Sequence, residues 1–160
     1  MTLRPLLLVL LVSAVGCDTV SDRVDQAACA ASGYADAGTV TATVSGSRYA
    51  TACVRVDRES GVVTIASIDN VVSNQAQRLL AITVPATVGT YAIGSSTAAG
   101  VYTTRAADAS DQAEQTYVAT SGTVTVTSTG SGAAGTFSFA ARTPAGAQIE
   151  VTAGRFDVTD

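Results

Sequence analysis

From Thr39 onward, apolar and polar residues alternate with a period of two. That spacing puts one face of a β-strand in a core and the other in water. Thr39-Val40-Thr41-Ala42-Thr43-Val44 is the first such segment, and Ser45-Gly46-Ser47 supplies a turn after it. A second strand is expected over residues 48–57, with Ala50, Ala52, Val54 and Val56 on one face and Cys53 on the other. A crosslink at Cys53 would then sit outside the main core. A turn at 58–61 leads to a third strand over 62–68. After a polar loop at 69–77, residues 78–84 read as a fourth strand, apolar on both faces through Leu79, Leu80, Ala81 and Ile82. It is central, or covered on both sides. Pro85 ends it, because proline has no N–H for a ladder.

Shorter strands follow at 89–93 and 101–104, and 106–113 is an exposed loop. Residues 114–120 return as a strand. The cleanest alternation is GTVTVTS at 122–128, whose partner is GTFSFAA at 135–141 across the Gly/Ser-rich loop 129–134. On these two strands Val124, Val126, Phe137 and Phe139 are expected in the core, and Thr123, Thr125, Thr127 and Ser138 in water. Pro144-Ala145-Gly146 turns the chain, and 148–159 is the last strand, with a glycine break at Gly154.

The pattern therefore predicts an all-β domain, an antiparallel meander of about nine or ten short strands. Two architectures accommodate it: a β-sandwich or a lipocalin-like closed barrel. The sandwich is preferred on the sequence, since a core mostly of Val and Ala looks too small to fill a wide barrel. Val24 to Ala31 offers a helical turn or two with a weak apolar face.

The N-terminus has a different pattern. Arg4 precedes an apolar run, Leu6 to Val15, of ten residues. A membrane-spanning helix needs about 20 apolar residues, so this run fits a signal-peptide core instead. Small residues and Cys17 follow it. The segment Asp18 to Gly38 is polar, acidic and Ala-rich and reads as a tether that becomes ordered near Cys29. The expected organisation is a signal peptide over 1–16, an anchor and tether over 17–38, and a β domain over 39–160.

Charge narrows the partners. The chain has 9 basic residues, all Arg, against 13 acids. Loss of residues 1–16 removes Arg4 and leaves 144 residues with 8 Arg against 13 acids, a net charge of −5. That disfavours nucleic acid and a basic patch on anionic lipid.

Chemistry is constrained by what is missing. With no His, neither a Ser-His-Asp nor a Cys-His triad can form. With no Lys, a Schiff base and a P-loop are ruled out too. A carboxylate pair remains conceivable for glycoside hydrolysis, with Asp57, Asp69, Asp108, Asp111, Glu114 and Glu150 as candidates. They fall mostly in turns and read as solvated. Asp108-Ala109-Ser110-Asp111 lacks the ligand count of a calcium loop. Tyr34, Tyr49, Tyr91, Tyr102 and Tyr117 are the aromatic candidates for a binding face, and are expected to cover the core edge. No cofactor or metal site is expected, and no enzymatic activity.

Ala14-Val15-Gly16-Cys17 resembles a bacterial lipobox, although Ala14 stands where Leu is usual. The resemblance implies cleavage before Cys17 and acylation of its thiol; the alternative is a secretory signal followed by an incidental cysteine. If Cys17 is acylated, Cys29 and Cys53 remain, an even number in an oxidising compartment, and a disulfide between them is expected. The alternative is two reduced, buried thiols.

The order of Thr41-Ala42-Thr43-Val44-Ser45-Gly46, Gly89-Thr90-Tyr91, Gly122-Thr123-Val124-Thr125-Val126-Thr127, Gly135-Thr136-Phe137-Ser138-Phe139 and Val151-Thr152-Ala153-Gly154-Arg155-Phe156 is similar to that of small Bacteroidota-type lipoproteins. These carry a lipobox, a polar tether and one β domain. The resemblance implies an extracytoplasmic, lipid-anchored location in the cell envelope, with inner membrane, outer membrane and cell surface all compatible. It carries no functional residues over. The leading expectation is a non-enzymatic envelope domain whose partner is an envelope protein or glycan. A barrel carrying a small apolar ligand is the alternative, and a carboxylate-only glycan hydrolase is the weaker one.

Overall fold

A computed structural model describes residues 27–71, 76–105 and 114–159. The expected loop 106–113, the signal peptide, Cys17 and the tether up to residue 26 lie outside the described residues. Among the described residues nine strands follow one another: β1 (Ala35–Val44), β2 (Ser47–Glu59), β3 (Val62–Asp69), β4 (Gln77–Pro85), β5 (Gly89–Ile93), β6 (Ala99–Arg105), β7 (Gln115–Ser128), β8 (Gly132–Arg142) and β9 (Gln148–Thr159). The two strands expected at 114–120 and 122–128 are one strand, β7, and β1 begins at Ala35 rather than Thr39.

Every named pairing is antiparallel. The pairing runs β1-β2-β3-β4-β6-β7-β8-β9 and returns to β1, so the sheet closes into a barrel. The short β5 pairs with the lower half of β7, over Gly122–Val126, below the segment that β6 occupies. Of the two architectures expected for the all-β meander, the chain therefore adopts the closed barrel rather than the sandwich. The reason is volume. About eight strands enclose an interior just wide enough for side chains to fill, and this interior is not limited to Val and Ala. Tyr49, Tyr102, Tyr117, Phe137, Phe139, Phe156, Ile65, Leu80 and Ile82 all point into it and are buried.

Two hairpins follow from local chemistry. Ser45-Gly46 joins β1 to β2 and Ser60-Gly61 joins β2 to β3, each with positive φ at both residues. Two-residue loops of this kind match the right-handed twist of the strands they join.

Alternation alone would have misplaced three strands, because bulges reset the inward face. On β2, Tyr49 faces inward opposite Ala42, whereas further along Val54 and Val56 face inward opposite Ser67 and Ile65. The face switches at Ala52-Cys53. Ala50 and Ala52 therefore lie outside, contrary to their expected grouping with Val54 and Val56. On β7 the register shifts between Ala119 and Ser121. On β9 it shifts around Thr152-Ala153, where a break was expected at Gly154; the strand bulges but continues. Ala153 takes a φ of 49° there, and Gly154 faces inward with the Phe137 ring packed where a Cβ would stand. A bulge bends its strand and sharpens the local twist, which helps a sheet to curl shut.

Candidate functional site

Three places gather chemistry-bearing residues. The first is the clamp at the N-terminal end. A short helix over residues 27–31 lies against the outer wall of the barrel. Cys29 and Cys53 stand at disulfide distance, with Cα atoms 5.4 Å apart. Around them Ile68 is buried, and Tyr34, Val71 and Leu79 pack against the cluster. This explains why β4 is apolar on both faces: Leu80 and Ile82 fill the barrel, and Leu79 lies under the clamp. Cys53 faces away from Val54 and outside the main core, as its position on the strand suggests.

The second is the end of the barrel where β3 gives way to β4. Asp69 and Arg78 are cross-strand partners on the inward face and form a salt bridge. The Arg78 guanidinium also lies over the Tyr49 ring, 5.4 Å from its centroid, and its Nη1 donates to the Arg48 carbonyl at 2.9 Å. Tyr49 Oη and Ser67 Oγ share a hydrogen bond of 2.8 Å, and Ser67 Oγ donates to the Leu80 carbonyl at 3.1 Å. Tyr102 stands edge-on to Tyr49 at 6.4 Å, and Tyr117 follows at 6.3 Å from Tyr102. Tyr117 Oη donates to Gln115 Oε1 at 2.9 Å.

Tyr49, Tyr102 and Tyr117 are thus interior residues, where the sequence placed the tyrosines at the core edge. Alternation hid Tyr49, since the inward face changes along β2 between it and Val54. The hydroxyls of Tyr49 and Tyr117 are employed in holding the barrel end together. Burial pushes the Tyr49 hydroxyl well above the ordinary tyrosine range, and burial is also the main cause of the upward shift at Tyr102. A phenol whose folded pKa is raised contributes stability that is present below its unfolded pKa, about 10. That stability is lost as pH rises beyond it. Absorbance titration near 295 nm should therefore show Tyr49 and Tyr102 resisting ionisation above pH about 10 until the barrel opens. Ionisation of Tyr49 and Tyr102 at the ordinary tyrosine pKa in a still-folded chain would contradict their burial.

The third place is on the outer wall. Thr41, Thr123, Thr125, Thr136, Phe137, Ser138, Ala153, Gly154 and Arg155 line an open groove of about 490 Å3 across β7, β8, β9 and β1. Nothing in the alternation of these strands marked it, because a groove on the polar face arises from curvature.

Among the described residues the candidate carboxylates do not assemble into a pair. Asp57 lies outside, bonded to Arg55 at 2.8 Å, and Glu114 bonds Arg105 at 3.0 Å with both side chains exposed. Glu150 is exposed on β9. Asp69 faces inward but is engaged by Arg78. Asp108 and Asp111 lie outside the described residues. Among the described residues, no group of His, Cys, Asp or Glu is arranged to hold a metal ion. No family model, curated protein or solved structure matches the chain.

Proposed function

We propose that this chain is a lipid-anchored β-barrel of the bacterial cell envelope that works by binding or by structural support, with no chemistry of its own. The observation that carries the reading is the placement of Cys29 beside Cys53. Pairing accounts for two of the three cysteines and suits an oxidising compartment. It leaves Cys17, directly behind the apolar run, as the cysteine free for acylation. Two or more acyl chains on one residue hold a protein firmly to a membrane, where a single chain does so only marginally.

The filled interior supports this reading over a carrier. A small-molecule pocket generally needs about 300 Å3 or more, and the described barrel interior is occupied by stacked Phe rings, edge-on Tyr rings and Val, Ile and Leu. The carboxylates among the described residues, on the outer wall or tied to Arg, favour it over a glycan hydrolase, which needs two carboxyls about 5–10 Å apart in one cleft.

Metabolic labelling with radioactive palmitate tests the anchor. Label is expected in the wild type and not in Cys17→Ser. Equal labelling of the two would sink the assignment.

A further inference from the structure

We propose that the groove on the outer wall of the barrel binds an acidic polysaccharide, with Arg155 holding its negative group. This names a ligand class for the binding role proposed above and rests on that reading.

The groove is built from cross-strand neighbours. Thr125 on β7 is opposite Thr136 on β8, Thr136 is opposite Arg155 on β9, and Arg155 is opposite Thr41 on β1. These four side chains form one row on the outer face, with Thr123 and Ser138 paired beside it. Strands lie about 4.8 Å apart, so the row is about 14 Å long, the reach of a short oligosaccharide. The bulge at Thr152-Ala153 shifts the register of β9 against both neighbours, and Ala153 and Gly154 form part of the lining it leaves. A strand bent there turns a convex barrel wall into a concave one.

All but one of the side-chain polar groups in the groove are free for a ligand. Thr125 shares a hydrogen bond of 3.0 Å with Thr90. The hydroxyls of Thr41, Thr123, Thr136 and Ser138 make no hydrogen bond among the described residues, and neither does the Arg155 guanidinium, which also has no ion pair there. Hydroxyls both donate and accept, as sugar hydroxyls do, so a row of them matches a hydroxylated chain rather than an apolar one. A guanidinium presents a planar fork of donors that fits a carboxylate or a sulfate ester. Arg155 is the single cation of the lining, and the acidic Asp157 is its next neighbour on the same face. One cation beside one acid suits a chain of sparse negative charge and does not suit a dense polyphosphate, whose binding needs several cations.

The test is calorimetric titration of the purified full chain with three hexasaccharides: an oligogalacturonate, a sulfated galactan fragment and a neutral glucan. At least one acidic probe is expected to bind more tightly than the neutral one. Arg155→Gln should weaken that binding about tenfold, and Thr136→Val, which keeps the side-chain shape, about threefold. Thr64→Val, on β3 away from the groove, should leave it unchanged. Thermal melts of each variant confirm that the barrel is intact. The proposal is overturned if no acidic probe binds, if the neutral glucan binds as tightly, or if both groove variants bind like the wild type. Palmitate label without glycan binding would overturn the groove alone. Glycan binding without label would overturn the anchor alone.

Discussion

Phe137→Ala should destabilise the barrel by about 3–5 kcal/mol, the usual result of truncating a buried ring and leaving a cavity. Phe137 is 4% exposed and sits between two other rings, 6.2 Å from Phe139 and 6.4 Å from Phe156. It also covers the inward face of Gly154 across the β8–β9 pair, so the missing ring would bare the backbone of a bulge as well. The strands around it are held from both sides, which limits collapse into the void. Thr125→Ala is the matched control. Thr125 lies on the outer face of β7, and its hydrogen bond to Thr90 is solvent-exposed, so its loss should cost about 0.5 kcal/mol. Urea melts of the two variants compare the faces of adjacent strands in one experiment. Equal losses would mean that β7 and β8 have exchanged their inner and outer sets.

Replacing both Cys29 and Cys53 by Ala should cost about 3 kcal/mol on loop-closure entropy alone, for a separation of 24 residues. For a chain of this size that is a fall in Tm of about 6–12 °C. The helix over 27–31 is far too short to persist without tertiary contacts, so the clamp is what holds it on the wall. Releasing it would uncover Ile68 and Leu79, which face away from the barrel interior. Melting curves with and without reductant should therefore differ for the wild type and coincide for the double variant. Mass spectrometry of the unreduced native chain should find Cys29 and Cys53 resistant to alkylation. Two alkylatable thiols there would refute the bond.

Strand content was legible because period-two patterning is a local property: each residue's side depends only on its neighbour's. Val124, Val126, Phe137 and Phe139 lie inside, as their alternation with Thr and Ser requires. The turns at Ser45-Gly46 and Ser60-Gly61 were legible for the same reason, and so was the end of β4 at Pro85. The outward position of Cys53 also follows from its neighbour Val54.

Closure was decided at longer range. Whether β9 pairs with β1 depends on the summed tilt and twist of the intervening strands and on whether the enclosed side chains fill the space. Tyr49, Tyr102 and Tyr117 supply much of that volume at one end, and for Tyr49 on β2 and Tyr117 on β7 the inward face changes further along the same strand. The partnership of Asp69 with Arg78 likewise needed the β3–β4 register, which pairs them across a loop. The outer groove belongs wholly to tertiary structure: Thr41, Thr136 and Arg155 are far apart in the chain and meet because three strands from its two ends lie side by side. The chain's local pattern thus determines strands, turns and most inner faces, since these are settled between neighbouring residues. Barrel closure, the tyrosine-lined end and the groove were left to the tertiary structure, since each is a consequence of curvature and register accumulated around the whole sheet.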